Sequence, residues 1–137
     1  MGKGILIARI LLGLPLLVFG LNQWFVWFEP PSDFQPAAQS WLEAIDATGY
    51  VQPMKVVVEV FCGACLVLGL WVPFALVLFA PILVHIVGYH MYLDPRMQSL
   101  VITAVVCALF LFLVLAYSRS WQGVLQVINR HHWSRRD

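Results

Sequence analysis

Apolar residues along this chain gather into four long runs separated by short polar stretches, at Ile5–Phe28, Pro53–Trp71, Pro73–Leu93 and Ser99–Ser118. Each is close to the ~20 residues that cross a hydrocarbon core as a helix. The pattern therefore predicts an all-α fold, a four-transmembrane-helix bundle forming one domain over residues 1–137. Pro15 inside the first run removes one backbone donor and predicts a kink there, while Gly13 and Gly20 permit close approach of a neighbouring helix. The second and third runs are joined only by Trp71-Val72-Pro73, so they form an antiparallel hairpin.

Residues 29–52 form the one long connection. Within it Pro36 suits a first helical position. Ala38, Trp41, Leu42 and Ile45 then fall on one face, with Gln39, Glu43 and Asp46 opposite, and Gly49 follows as a stop. This is a short amphipathic helix lying at the membrane surface, read as a connector packed on the bundle rather than a lid. After Arg119, Trp121, Val124, Leu125 and Ile128 line one side against Gln122, Gln126 and Arg130, which predicts a C-terminal interfacial helix.

Composition agrees: 61% of the residues are hydrophobic and only 11% charged, with a mean hydropathy of +0.84. A soluble domain of this length needs more charge to cover its surface. The first run is too long for a signal sequence and lacks a small-residue cleavage site, so it is expected to be retained. Lys3, Arg9, Arg119, Arg130, Arg135 and Arg136 share one side of the membrane, against Lys55 and Arg96 with five acids on the other. The basic-side rule then predicts a multi-pass protein of the cell (inner) membrane with both termini cytoplasmic. No nucleic-acid motif is present, and the odd number of cysteines, all inside apolar runs, argues against a disulfide framework.

The chemistry lies where the apolar runs are broken. Glu59 sits in VVVEVFCGACLVLGL, and an ionisable group in a span costs free energy unless it faces the bundle interior with a partner. Lys55, His85 and Asn22 are its candidate partners. At a rise of about 1.5 Å per residue, Asn22, Glu59, Cys62, His85, His90, Thr103 and Cys107 all fall in the outer half of the bundle, which predicts a single buried polar cluster. Arg9 stands alone in the inner half and reads as a snorkelling anchor. Cys62-Gly63-Ala64-Cys65 has the spacing of a redox pair, yet mid-helix in hydrocarbon a thiolate is disfavoured, so small-residue packing is the preferred reading. His85 and His90 point about 140° apart on a regular helix, and no metal site is expected.

The string Arg9-x-x-x-Gly13 with Phe19-Gly20-Leu21-Asn22, then Thr48-Gly49-Tyr50-x-x-Pro53-x-Lys55-x-x-x-Glu59-x-x-x-Gly63, then Val72-Pro73-x-Ala75-Leu76, Ala80-Pro81-Ile82-x-Val84 and His90, resembles the DoxX-like family of small four-helix membrane proteins. The chain departs from that pattern at His85, where an asparagine is usual, and in its C-x-x-C. The resemblance implies membrane redox chemistry, with a quinone as cofactor and a membrane or soluble redox protein as partner. It also implies a non-enzymatic alternative: a scaffold, an assembly factor, or a lipid- or small-molecule-binding protein. In the redox reading Glu59, Cys62 and Cys65 are the candidate catalytic residues, and Asn22, His85, His90 and Glu59 the candidate cofactor-binding residues. An enzymatic role would be that of a membrane subunit of an oxidoreductase rather than a stand-alone enzyme. A permease is disfavoured, because four short helices lack an inverted repeat, unless the chain forms homo-oligomers.

Overall fold

In the computed structural model, residues 2–29 and 34–121 are described. The expected C-terminal interfacial helix lies outside the described residues from 122 onward. Trp121, the last described residue, donates its indole N–H to the Val114 carbonyl (3.1 Å). The described chain forms five α-helices: α1 (Lys3–Phe25), α2 (Pro36–Ala47), α3 (Val51–Leu68), α4 (Val72–Gly88) and α5 (Met97–Ala116). A π-helical segment, Tyr89–Leu93, continues α4. Four elements are long and apolar enough to span a membrane: α1, α3, α4 with its π segment, and α5.

The spanning helices pack in a ring, α1 on α3, α3 on α4, α4 on α5 and α5 back on α1. α1 and α3 approach closely, and three glycines make this possible. A Cβ added to Gly63 would stand 2.6 Å from the Leu17 backbone nitrogen, one on Gly13 would stand 2.7 Å from the Leu66 Cβ, and one on Gly20 would stand 2.9 Å from a Val60 methyl. With no hydrophobic drive between helices in lipid, such close packing carries much of the association. The ring encloses an apolar core of Leu12, Leu66, Leu76, Phe79 and Leu113, each at most 2% exposed.

Several boundaries differ from the sequence expectation by a few residues. α1 runs through Pro15 and stops at Phe25, because Val26 turns into the left-handed region (φ 48°) and bonds back to Asn22. The α3–α4 turn is Gly69-Leu70-Trp71, two residues earlier than expected. Gly69 takes the left-handed position (φ 76°) that ends α3, and Pro73 lies inside the first turn of α4, where its missing donor costs nothing. Pro36 opens α2 as expected, and Gly49 (φ 71°) follows its end. α2 sits on α3 and on the π segment. Of its expected apolar face, Ala38 is fully buried and Trp41, Leu42 and Ile45 are half-buried.

Candidate functional site

The polar residues of the spans do not form one cluster; they divide among four places. The first is a network between α1 and α3, at the end of the bundle that carries α2. Glu59, 6% exposed, accepts a hydrogen bond from the Gln23 amide of α1 (3.2 Å). It also pairs with Lys55 one turn earlier (3.2 Å). Gln52 in turn donates to the Gln23 amide oxygen. The acid of the second span is thus buried against the first span, as expected. The glutamines were not anticipated, although their register carries a signal. Gln52, Lys55 and Glu59 recur at helical spacing on one face of α3, and Gln23 prolongs the Gly13–Gly20 face of α1.

The second place is the end of α1. The Asn22 amide donates to the Phe28 carbonyl (2.9 Å), and the Phe28 N–H donates to the Asn22 side-chain oxygen (3.0 Å). Asn22 therefore closes the turn after α1. Both ends of its amide are used by one backbone residue.

The third place is Arg9. It is buried, not a snorkelling anchor, and it reaches across to the end of α3. Its Nε donates to the Leu66 carbonyl (2.9 Å) and its Nη2 to the Val67 carbonyl (3.2 Å). The last turn of any helix leaves carbonyls unmet, and in lipid no water can meet them. A guanidinium with several donors answers that demand and also suits the negative end of the helix.

The fourth place joins α2, the π segment and the start of α5. Asp94, 1% exposed, accepts two hydrogen bonds from Arg96 (2.8 and 2.9 Å) and one from the Ser99 hydroxyl (3.2 Å). The Thr103 hydroxyl donates back to the Ser99 carbonyl (2.8 Å). His90 Nδ1 stands 4.0 Å from Asp94 Oδ2, beyond hydrogen-bonding range. Tyr89 stacks at a tilt against Trp41 of α2 (centroids 5.3 Å apart) and meets the His90 ring edge-on (5.0 Å). Neither Tyr89 nor Trp41 was among the sequence candidates, since aromatic residues in a span read first as packing. Their separation in the chain hides their contact.

His85 is exposed on the outer side of α4, apart from Glu59. The three cysteines are free thiols. Cys62, fully buried, donates to the Ala75 carbonyl across the α3–α4 hairpin (3.4 Å). Cys65 lines a cavity of about 350 Å³ with Phe61, Ala64, Leu68, Leu70 and Trp71, at the end opposite α2. Among the described residues no group of three metal-ligating side chains is found.

Outside the spans, the Arg96 hydrogen bonds hold the Asp94 carboxyl below its ordinary value of 3.8, helped by the Arg96 charge and the Ser99 hydroxyl, while burial works against them. A carboxyl depressed in the folded state stabilises that state above its unfolded value, and the contribution is lost as pH falls through the folded one. The α4–α5 turn is therefore expected to loosen below about pH 4. Amide exchange of residues 94–99 measured down the pH scale checks this, and Asp94→Asn should remove the pH dependence.

A family model described as DoxX matches residues 4–91, from the start of α1 into the π segment. The chain belongs to the DoxX family. This places Arg9, the α1–α3 glycines, Glu59 and His90 inside the matched region of this DoxX protein, with α5 beyond it. No curated protein matches the chain significantly. No solved structure does either.

Proposed function

We propose that this DoxX protein is a membrane component of a quinone-linked redox system and works with a membrane or soluble redox partner. In this proposal it lies in the cell (inner) membrane with both termini cytoplasmic, as the basic residues favour. The carrying observation is Glu59: a carboxylate buried within a span, held by Gln23 of a second helix and paired with Lys55. Such a group is costly in lipid and marks proton or ligand pathways more often than packing. Its role here is to hold or pass the proton that accompanies quinone reduction. The thiol-linked version has less support. Cys62 is spent on the Ala75 carbonyl, and Cys65 opens toward an apolar cavity with no charged or basic neighbour lining it.

The test is native mass spectrometry and an absorbance spectrum on gently purified protein, with complementation by Glu59→Gln. Bound quinone and at least a tenfold loss of complementation are expected. Absence of quinone, haem and metal, with full complementation by Glu59→Gln, would overturn the proposal.

A second reading, a scaffold or assembly factor, is favoured by one feature. Arg9, Asn22 and Cys62 all serve backbone carbonyls, as internal glue would. Co-purification of one stoichiometric membrane partner, unaffected by Cys62→Ser and Cys65→Ser, supports that reading instead.

A further inference from the structure

Among the described residues three buried side-chain polar atoms are unmet: the Tyr117 hydroxyl just after α5, and two that fall side by side in the π segment. The Tyr89 hydroxyl and His90 Nδ1 are buried without a hydrogen-bond partner among the described residues. A buried polar group is normally satisfied, and a native exception calls for a missing water or ligand. Asp94 is not that missing partner, because its oxygens are engaged by Arg96 and Ser99 and it lies 4.0 Å from His90. The two atoms belong to adjacent residues of a π-helical stretch, a conformation found mostly as short insertions at functional sites. The Trp41 ring of α2 lies against the Tyr89 ring. Within α2 only Ala38 is fully buried, and it is not part of the apolar core.

We infer that Tyr89 and His90 form the head-group site of a membrane-borne quinone, beside Trp41 of α2. This deepens the quinone-linked proposal above and rests on it. The chemistry selects the ligand class. The Tyr89 hydroxyl needs an acceptor and His90 Nδ1 needs a polar partner, and a flat indole lies beside the tyrosine ring. A planar ring bearing carbonyls on an apolar tail meets all of these demands, whereas a phosphate head group would bring charge that the unpaired groups do not match. Asn22 and His85 leave the site, the first engaged by Phe28 and the second on the outer surface. Tyr89 and Trp41 enter it.

The experiment uses the full chain in lipid nanodiscs, with decylubiquinone as ligand and an azido-ubiquinone as photolabel. Labelling of the wild type is expected within residues 36–47 and 89–96, competed by decylubiquinone and not by decylbenzene, which has the tail without the carbonyls. Tyr89→Phe, which removes only the hydroxyl, is expected to weaken decylubiquinone binding about tenfold, and His90→Gln to weaken it as well. Saturable binding with labelling confined to the cavity around Cys65, or with Tyr89→Phe and His90→Gln both binding like the wild type, overturns this placement and leaves the quinone-linked proposal standing. Equal competition by decylbenzene also overturns it. No saturable binding by the wild type overturns both.

Discussion

Gly63→Ala is expected to destabilise the bundle by about 3 kcal/mol, the upper range for overpacking a tight site. The added methyl would meet the Leu17 nitrogen at 2.6 Å, the Gly13 carbonyl oxygen at 2.9 Å and the Leu17 Cα at 3.0 Å. All three are backbone atoms, so no side chain can rotate away, and α1 must move off α3. That movement spreads: it separates Gly20 from Val60 and draws Gln23 away from Glu59. Gly88→Ala is the control. Nothing lies within 4 Å of an added Cβ there, and its backbone is helical (φ −58°). It is expected to be neutral or to stabilise by about 0.5–1 kcal/mol through helix propensity. Unfolding of both variants in mixed detergent micelles measures the difference. Equal stabilities would mean that the α1–α3 crossing is not as close as described.

The glycine contacts were legible in the sequence because small residues in a span have one common use, close approach, and their spacing fixes the face. The four spans were legible for a similar reason, since length and hydropathy alone decide them. The polar groups were legible in depth but not in direction. Counting residues placed Asn22, Glu59 and His85 near one level; it did not reveal that Asn22 bends back to Phe28 or that His85 faces outward. The partner of a side chain depends on helix rotation, and the low-contrast surface of an apolar helix gives little to set that rotation. The Tyr89–Trp41 contact was hidden for a further reason. No Gly or Pro stands within Tyr89–Leu93 to announce the π segment, whose longer bond from the Asp94 N–H to the Tyr89 carbonyl (3.0 Å) turns the end of α4. Arg9 was misread because depth near a helix end suits a snorkelling side chain as well as one turned inward. The signal that distinguishes them lies elsewhere in the chain, at Gly69, where α3 ends and its carbonyls need donors.

That link between Arg9 and Gly69 gives the second large effect, and it is best measured as a cycle. Gly69→Ala forces a Cβ into the left-handed region at φ 76° and into the space of the Arg9 guanidinium. The backbone part costs about 1–2 kcal/mol. The steric part could be relieved by swinging Arg9 aside, but that breaks its bonds to the Leu66 and Val67 carbonyls. Leaving such groups unmet in a buried site costs about 1–3 kcal/mol, so Gly69→Ala is expected to cost about 3–4 kcal/mol in all. Arg9→Met removes the same bonds directly, with an expected loss of about 2–3 kcal/mol. In the Arg9→Met background the alanine meets no guanidinium and has no bond left to break, so only its backbone cost should remain. The double variant is then expected to be more stable than the sum of the singles predicts, by about 1–2 kcal/mol. Arg9→Lys should rescue only part of the loss, since one ammonium lacks the fork that reaches two carbonyls. Strict additivity in the cycle would show that Arg9 and Gly69 act separately and that the end of α3 is satisfied by other means.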